Sequence, residues 1–465
     1  MKATPILLVS VNARYSHASY AIRTLRANLG ALASMTSFLE TDLEITPIQL
    51  AEQIAKRNPR IVGFSIYLWN RLLIEATVGI LRIAHPSITI VAGGPECVAG
   101  EASSREKLCD TMIVGEGETA FRKICEAIFS ASFMNTHNRS NVFSSVLSVA
   151  SPEDLSQLVL PYDEYSDIDI LQRTIYAETS RGCPYSCSYC TSDGTTLRLF
   201  PLETLLPAFE KLWERGVRKF KFLDRSFNAP VEHACAILDF FLPRVTPGSC
   251  LHFEINPDHL HPDVFTRIAA FPKGSLHLEV GLQTINPDGA RRIGRSVNTE
   301  HSLENLRKLC QETGAVVHAD LIFGLPGEDE ESFARGFNTV VATCQAPEVQ
   351  VNWLKGLQGT RLVCDAAKLQ LAFSAEPPYE LLYSDVMNFD TLCRIQRFAR
   401  CWELVHNRGR FPKEVEALHA RIAPDYYQGY QALAQRIFEG EGKLYAISAT
   451  RLQSYLQQHL DTENC

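Results

Sequence analysis

The chain has 465 residues, of which 46% are apolar and 21% charged, a globular composition that excludes wholesale disorder. That length suggests two or three domains. Lys and Arg number 45 against 53 Asp and Glu, so the formal charge is −8 and a general nucleic-acid or anionic-membrane binder is not expected. No apolar run is long enough to span a bilayer, and the apolar start, Met1–Val11, lacks a small-residue cleavage pattern. A cytoplasmic protein with reduced thiols is expected, and some of its fourteen cysteines should bind metal.

The first 130 residues alternate short apolar runs with helical patterns. Strands are predicted at 6–11, 43–48, 61–67, 88–92 and 111–114, and helices at 19–32, 72–84 and up to Phe129. Glycines sit where the strands end: Gly63 before Ser65, then Gly93-Gly94-Pro95, then Gly115-Glu116-Gly117-Glu118. Strand–helix alternation of this kind predicts a doubly wound parallel sheet, whose ligands lie beyond the carboxyl ends of the strands. One Gly-Gly pair alone would only be a tight turn.

Taken together, Asn12-Ala13-Arg14-Tyr15, Gly63-Phe64-Ser65 and the two later glycine loops resemble the cobalamin-binding domain at the front of many radical S-adenosylmethionine (SAM) enzymes. The resemblance implies that Asn12, Arg14, Tyr15, Ser65, Tyr67, Trp69, Asn70, Gly93, Gly94, Pro95, Gly115, Glu116, Gly117 and Glu118 embrace a corrin and its nucleotide tail. Members that give cobalt a histidine use Asp-x-His-x-x-Gly. Here His17 has Tyr15 and Tyr20 at the flanking positions, so it is read as a surface or helix-capping residue. Trp69 is then the candidate for covering the lower face of cobalt; its other reading is an aromatic packed at a helix start.

Residues 131–172 are polar and turn-rich, then acidic, and read as a linker. Within it Ser-Pro-Glu-Asp, 151–154, opens a short helix or turn. A short strand at 174–178 then runs into Arg181-Gly182-Cys183-Pro-Tyr-Ser-Cys187-Ser-Tyr189-Cys190. Three thiols within eight residues of a loop are hard to explain as packing, and a soft donor set suits zinc or iron–sulfur. The next Cys or His is His233, too far along for the local fourth ligand of a ferredoxin-type site. A four-iron cube on three cysteines leaves one iron open.

Cys-x3-Cys-x2-Cys, with the aromatic Tyr189 before its last cysteine, is the signature of the radical SAM superfamily. The resemblance implies a [4Fe-4S] cluster on Cys183, Cys187 and Cys190, chelation of SAM by the open iron, and reductive cleavage to a 5′-deoxyadenosyl radical. Strands are predicted at 220–224, 251–256, 276–284, 318–324 and 349–354, with helices at 201–215, 229–242, 261–271, 300–313 and 329–343. With the strand at 174–178 these make six strands and read as a partial TIM-type (β/α)6 barrel, with function at the carboxyl ends of its strands. SAM contacts are expected from Tyr189, Asp224, Arg225, Asn228, Glu254, Gln283, Asp320 and Phe323, and Glu279 also points outward near its strand's end. The other cysteines have no ligand spacing, and 1–96 holds none, which argues against the methylthiotransferases with their second cluster.

Residues 356–465 read as mostly helical, with a final helix at 449–460, and resemble the C-terminal region of an uncharacterised branch of cobalamin-binding radical SAM proteins. The expected domains are thus 1–130 (cobalamin), 131–172 (linker), 173–355 (radical SAM core) and 356–465 (helical). The reading is a cobalamin-dependent methyltransferase acting on an unactivated carbon of a small molecule or peptide, fed by a low-potential donor such as flavodoxin or ferredoxin. Its alternatives are a non-methylating cobalamin radical enzyme (cyclisation, rearrangement or redox) and an iron–sulfur electron-transfer module.

Overall fold

The structure is a computed structural model that describes residues 5–98, 109–130, 147–149, 154–344 and 348–462. It divides into two compact units, one of residues 1–180 and 198–223, the other of 181–197 and 224–465.

In the first unit, β1 (Ile6–Asn12), β2 (Thr36–Asp42), β3 (Ile61–Ser65), β4 (Thr89–Gly93), β5 (Thr111–Val114) and β6 (Leu147–Val149) form one sheet in the order β2-β1-β3-β4-β5-β6. Every pairing is parallel. All of β1 and β3 is buried, as strands covered on both faces must be. Leu7, Val9 and Val11 face one apolar layer with Leu50, Ile54, Ile74 and Val78. Ile6 and Leu8 face the other with Ile22, Phe121 and Ile128.

Two expectations need correction. The second strand is Thr36–Asp42, not 43–48. The stretch read as strand runs instead into the helix Pro47–Ala55. Thr46 accepts from the Gln49 N–H, the Gln49 side chain takes the Thr46 N–H, and Pro47 fills the first turn. The sheet also has a sixth strand, β6, beyond the five expected. The polar run 135–141 and residues 151–153, from the expected linker, lie outside the described residues. Residues 154–172 pack into the first unit: Asp169, on the helix Asp167–Gln172, is buried against Arg23, which also binds Glu40 at 2.7 Å. β7 (Ile175–Ala177) and, past the cysteine loop, β10 (Lys219–Phe222) pair in parallel. The short strands β8 (Ser180–Arg181) and β9 (Arg198–Leu199) bound that loop in sequence.

The second unit contains β11 (Cys250–Ile255), β12 (Leu276–Gln283), β13 (Val316–Phe323) and β14 (Glu348–Trp353), paired in parallel in that order. With β7 and β10 they make the six expected strands, and β10 to β13 are each followed by a helix. β11 and β12 alternate buried and half-buried residues, as strands with one polar face do. The register places Glu254 opposite Glu279, Glu279 opposite His318, and His318 opposite Glu348. One row of that face is therefore built wholly of titratable side chains. After a short hairpin, β15 (Ala372–Phe373) and β16 (Leu381–Tyr383), the chain is helical: Phe389–Trp402, Pro412–Ile422, Tyr426–Glu441 and Ala449–Thr462. No described helix is long and apolar enough to cross a membrane.

Candidate functional site

The cysteine loop is held by the backbone rather than by a helix or strand. Gly182 has φ +87°, and a Cβ there would run into the Thr196 carbonyl, so only glycine admits the turn that launches Cys183. The Cys183 N–H donates to Thr195 Oγ1 at 3.1 Å, and the Cys190 N–H to the Cys187 carbonyl at 3.0 Å. Farther-off parts of the same unit fix the middle of the loop: the Ser188 N–H donates to the Ile293 carbonyl at 2.9 Å, and Arg361 Nη2 to the Ser186 carbonyl at 2.6 Å.

All three cysteines line one cavity, together with Tyr185, Tyr189, Arg225, Ser226, Glu254, Ile255, Asn256, Glu279, Gly281, Gln283, Arg295 and Asp320. No fourth cysteine and no histidine stands among the lining residues. The donor set fits a cluster. It offers three soft sulfurs, and N–H groups already face two of them, Ser192 N at 3.4 Å from Cys190 Sγ and Arg295 Nη1 at 4.0 Å from Cys187 Sγ. Burial pushes the Cys187 thiol up, and the Arg295 cation beside it pulls the other way. Burial also holds Tyr189 well above the ordinary phenol range, so it remains a neutral phenol.

Five of the eight expected SAM residues line this cavity: Tyr189, Arg225, Glu254, Gln283 and Asp320. Three do not. Asp224 is buried beneath the strand end, 1% exposed. The Asn228 amide is spent on the backbone, donating to the Asn256 and His259 carbonyls and accepting from the Asn256 N–H at 2.9 Å. Phe323 packs against Phe333 and Trp353. Sequence reasoning missed Arg295. Its Nη2 donates to the Gly281 carbonyl at 2.6 Å and pairs with Asp258 at 3.3 Å, while its Nη1 stands 4.0 Å from the Cys187 sulfur in the cavity wall. It lies just past the short helix Pro287–Arg292 that follows β12, where no spacing points to the cysteines. Gln283 takes φ +68° beside a register shift between Gly281 and Gln283, which turns the end of β12 into the cavity.

In the first unit the carboxyl ends of β1 and β3 carry a second, aromatic cavity lined by Asn12, Ala13, His17, Ala18, Ser19, Tyr20, Tyr67, Trp69, Tyr176 and Leu223. Trp69 is 47% exposed, stacks on Tyr67 at 4.5 Å, and is pinned by its indole N–H to the Val11 carbonyl. His17 is neither a surface nor a capping residue. It is half-buried, its Nδ1 lies 2.7 Å from the Tyr176 hydroxyl, and Ser19 is the residue that precedes the helix. Burial holds its imidazole below the ordinary range.

Asn70 is fully buried. Its amide bridges the Val11 and Ser65 carbonyls and accepts from the Tyr67 N–H, so it fastens the loop and leaves no group for a ligand. Tyr15 lies beneath Arg173 at 4.3 Å, and Glu116 pairs with Arg198. Gly94 has φ +116°, and a Cβ would meet the Ile66 carbonyl oxygen at 2.5 Å. Gly93, Pro95, Gly115, Gly117 and Glu118 stand at the ends of β4 and β5, as the pattern required. Arg14 is exposed, and Ser65 is buried at the end of β3. A bare, glycine-edged sheet end next to an aromatic cavity fits a large flat ligand.

A parallel sheet with a glycine rim and a strand-end pocket holding three thiols are the two features that mark this α/β protein. Three family models match the chain: B12 binding domain over residues 6–125, radical SAM superfamily over 177–339, and a protein of unknown function, DUF4080, over 367–462. The chain is thus a radical SAM protein with a B12-binding domain and a C-terminal domain of unknown function.

The 2-(S-pantetheinyl)-carbapenam-3-carboxylate methyltransferase of Streptantibioticus cattleyicolor is 26% identical over 322 residues, 63% of this chain and 46% of that protein. The cobalamin-dependent radical SAM methyltransferase TokK of Streptomyces tokunonensis is 24% identical over 367 residues, 71% of this chain and 52% of that protein. The chain spans about half the length of these two relatives. Among solved structures, the radical S-adenosylmethionine methyltransferase TsrM of Kitasatospora setae, with cobalamin and a [4Fe-4S] cluster bound, covers 80% of this chain. The match spans 78% of TsrM, with TM-score 0.61 and 18% identity, a likeness of fold.

Proposed function

We propose that the chain is a cobalamin-dependent radical SAM enzyme that transfers a methyl group to an unactivated carbon of a small molecule or peptide. The observation that carries this reading is the cavity in which Cys183, Cys187 and Cys190 stand without a fourth cysteine or histidine, ringed by strand-end polar groups. The distant relatives, mostly methyltransferases, support the methyl-transfer part. When bound, the cluster and SAM supply a 5′-deoxyadenosyl radical, and the corrinoid supplies the methyl carrier.

The chain's own part is to hold and to shield. Cys183, Cys187 and Cys190 would ligate three irons. Arg295 sets a fixed positive charge beside the Cys187 sulfur, which favours an added electron there. Glu254, Gln283 and Asp320 offer acceptors and an amide at the strand ends, where ribose hydroxyls and adenine would be gripped. Tyr189, a neutral phenol, lines the cavity beside the sulfurs. In the first unit, the Gly94 backbone and the Tyr67–Trp69 stack would bound the corrin. A low-potential donor such as flavodoxin or ferredoxin would supply the electron.

The test is anaerobic incubation of the reconstituted full chain with methyl-labelled SAM, a low-potential reductant and a cell extract. The proposal expects 5′-deoxyadenosine and a labelled product from the wild type and neither from Cys187→Ala. Label in no product, with 5′-deoxyadenosine still formed, leaves the non-methylating alternative; absence of both rejects the proposal.

A further inference from the structure

Gln283 lines the cysteine cavity with its backbone at φ +68°, a left-handed conformation that an L-residue keeps only where its neighbours hold it. Gly281, two residues earlier, makes room for the turn. A Cβ there would stand 2.7 Å from Gln283 Nε2, so the glycine lets the Gln283 amide fold back over the strand.

The hold on this turn comes from the next residue. The Thr284 N–H donates to the Leu282 carbonyl at 2.9 Å. Thr284 Oγ1 accepts from the Asn286 N–H at 2.9 Å and donates to Glu328 Oε1 at 2.7 Å. Asn286 caps the short helix Pro287–Arg292 through the Asp288 and Gly289 N–H groups, and Arg295, just past that helix, donates back to the Gly281 carbonyl. Thr284 therefore sits at the junction of the two segments that carry Gln283 and Arg295 into the cavity wall.

Glu328 reaches Thr284 from a different element, the turn after β13, where its own N–H donates to the Leu325 carbonyl at 3.1 Å. Both side chains are buried, and Glu328 is not among the residues lining the cavity. Its Oε2 has no hydrogen-bond partner among the described residues. Burying a carboxyl with one oxygen bare is costly, and a smaller neutral acceptor would satisfy the threonine hydroxyl as well. Stability alone does not account for this residue.

We propose that Glu328 is a positioning residue for SAM: by holding Thr284 it keeps the Gln283 turn in the conformation that presents the Gln283 amide to the cavity. This rests on the proposed function, in which Gln283 helps to grip SAM. Without the Glu328 acceptor the strained turn is free to relax and the amide leaves its place. The cysteine loop does not depend on this contact, since its ties run to Thr195, Ile293 and Arg361.

The test measures three quantities on the anaerobically reconstituted full chain: iron per chain, Tm, and the Kd of labelled SAM by equilibrium dialysis. Glu328→Leu removes the acceptor, Thr284→Val removes the donor, and Glu328→Gln keeps an acceptor. Glu328→Leu and Thr284→Val should each weaken SAM about tenfold, the worth of one hydrogen bond, and the double variant should be no weaker than either. Glu328→Gln should stay within about twofold of wild type. Iron content and Tm of Glu328→Leu should stay near the wild-type values, whereas a merely structural carboxyl would lower them in step with affinity. SAM bound by Glu328→Leu as tightly as by wild type, Glu328→Gln as weak as Glu328→Leu, an additive double variant, or iron and Tm falling together with affinity each overturns the proposal. Should Glu328→Leu not fold, Thr284→Val, which keeps the volume, is judged by the same criteria. Wild type that holds its iron yet binds no SAM overturns the enzyme reading and this proposal with it; SAM bound by wild type and by the variants alike overturns this proposal alone.

Discussion

Glu328 allows the physical reasoning to be tested without any cofactor. It follows the β13 turn, is 2% exposed, and accepts from Thr284 Oγ1 at 2.7 Å, while its Oε2 has no hydrogen-bond partner. Burial pushes its carboxyl up from the ordinary 4.5 to about 7, with Asp329 adding to the rise and the Thr284 bond opposing it. Below pH 4.5 the folded and unfolded chains both hold this proton, and the fold loses nothing. Between 4.5 and about 7 the unfolded chain releases it first, so stability declines. Above that range the native chain carries the whole penalty, roughly 3 kcal/mol. Glu328→Gln keeps an oxygen for Thr284 and cannot ionise. Thermal unfolding followed by circular dichroism should therefore show the variant gaining several degrees on wild type between about pH 5 and about pH 8. A gap of the same size at both values would refute the buried-carboxyl argument.

Gly94→Ala forces a Cβ onto the Ile66 carbonyl at φ +116°, and should cost more than about 2 kcal/mol, read as a lowered Tm together with poorer retention of added hydroxocobalamin. A Tm equal to that of wild type contradicts the close approach. Asn70→Ala leaves two buried carbonyls and the Tyr67 N–H without their partner, and should lose about 2–3 kcal/mol in denaturant unfolding; a loss below about 0.5 kcal/mol would return Asn70 to the ligand-contact role. Arg295→Gln removes the cation beside Cys187 and should make the reconstituted cluster harder to reduce, seen as a more negative midpoint in an EPR-monitored redox titration; an unmoved midpoint means that Arg295 serves only Asp258 and the Gly281 carbonyl.

The sequence made local chemistry plain and long-range partnership obscure. The three cysteines are legible because their ligand spacing lies within one loop. β1 and β3 are legible because strands buried on both faces read as unbroken apolar runs. Thr36–Asp42 escaped notice because only Thr36 and Leu39 are buried on this edge strand, so its pattern reads as polar. The 43–48 run misled because its isoleucines belong to a turn and a helix start, and the decisive signal was the Thr46-Pro47-x-Gln49 cap rather than hydrophobicity.

At the site, Asn70 and Asn228 looked like ligand contacts since each stands just past a strand. Their amides are consumed by backbone groups, which no spacing reveals. Arg295 was invisible for the converse reason: 108 residues separate it from Cys187. His17 lacked its expected acidic neighbour, yet Tyr176, 159 residues on, supplies a hydrogen-bond partner.

The central claim is that the three-cysteine cavity leaves one iron for SAM. EPR of the dithionite-reduced, reconstituted protein with and without SAM tests it most directly. Binding at an open iron should change the g-values and yield nitrogen coupling from amino-labelled SAM. Spectra that superimpose, with no coupling from the label, would contradict it.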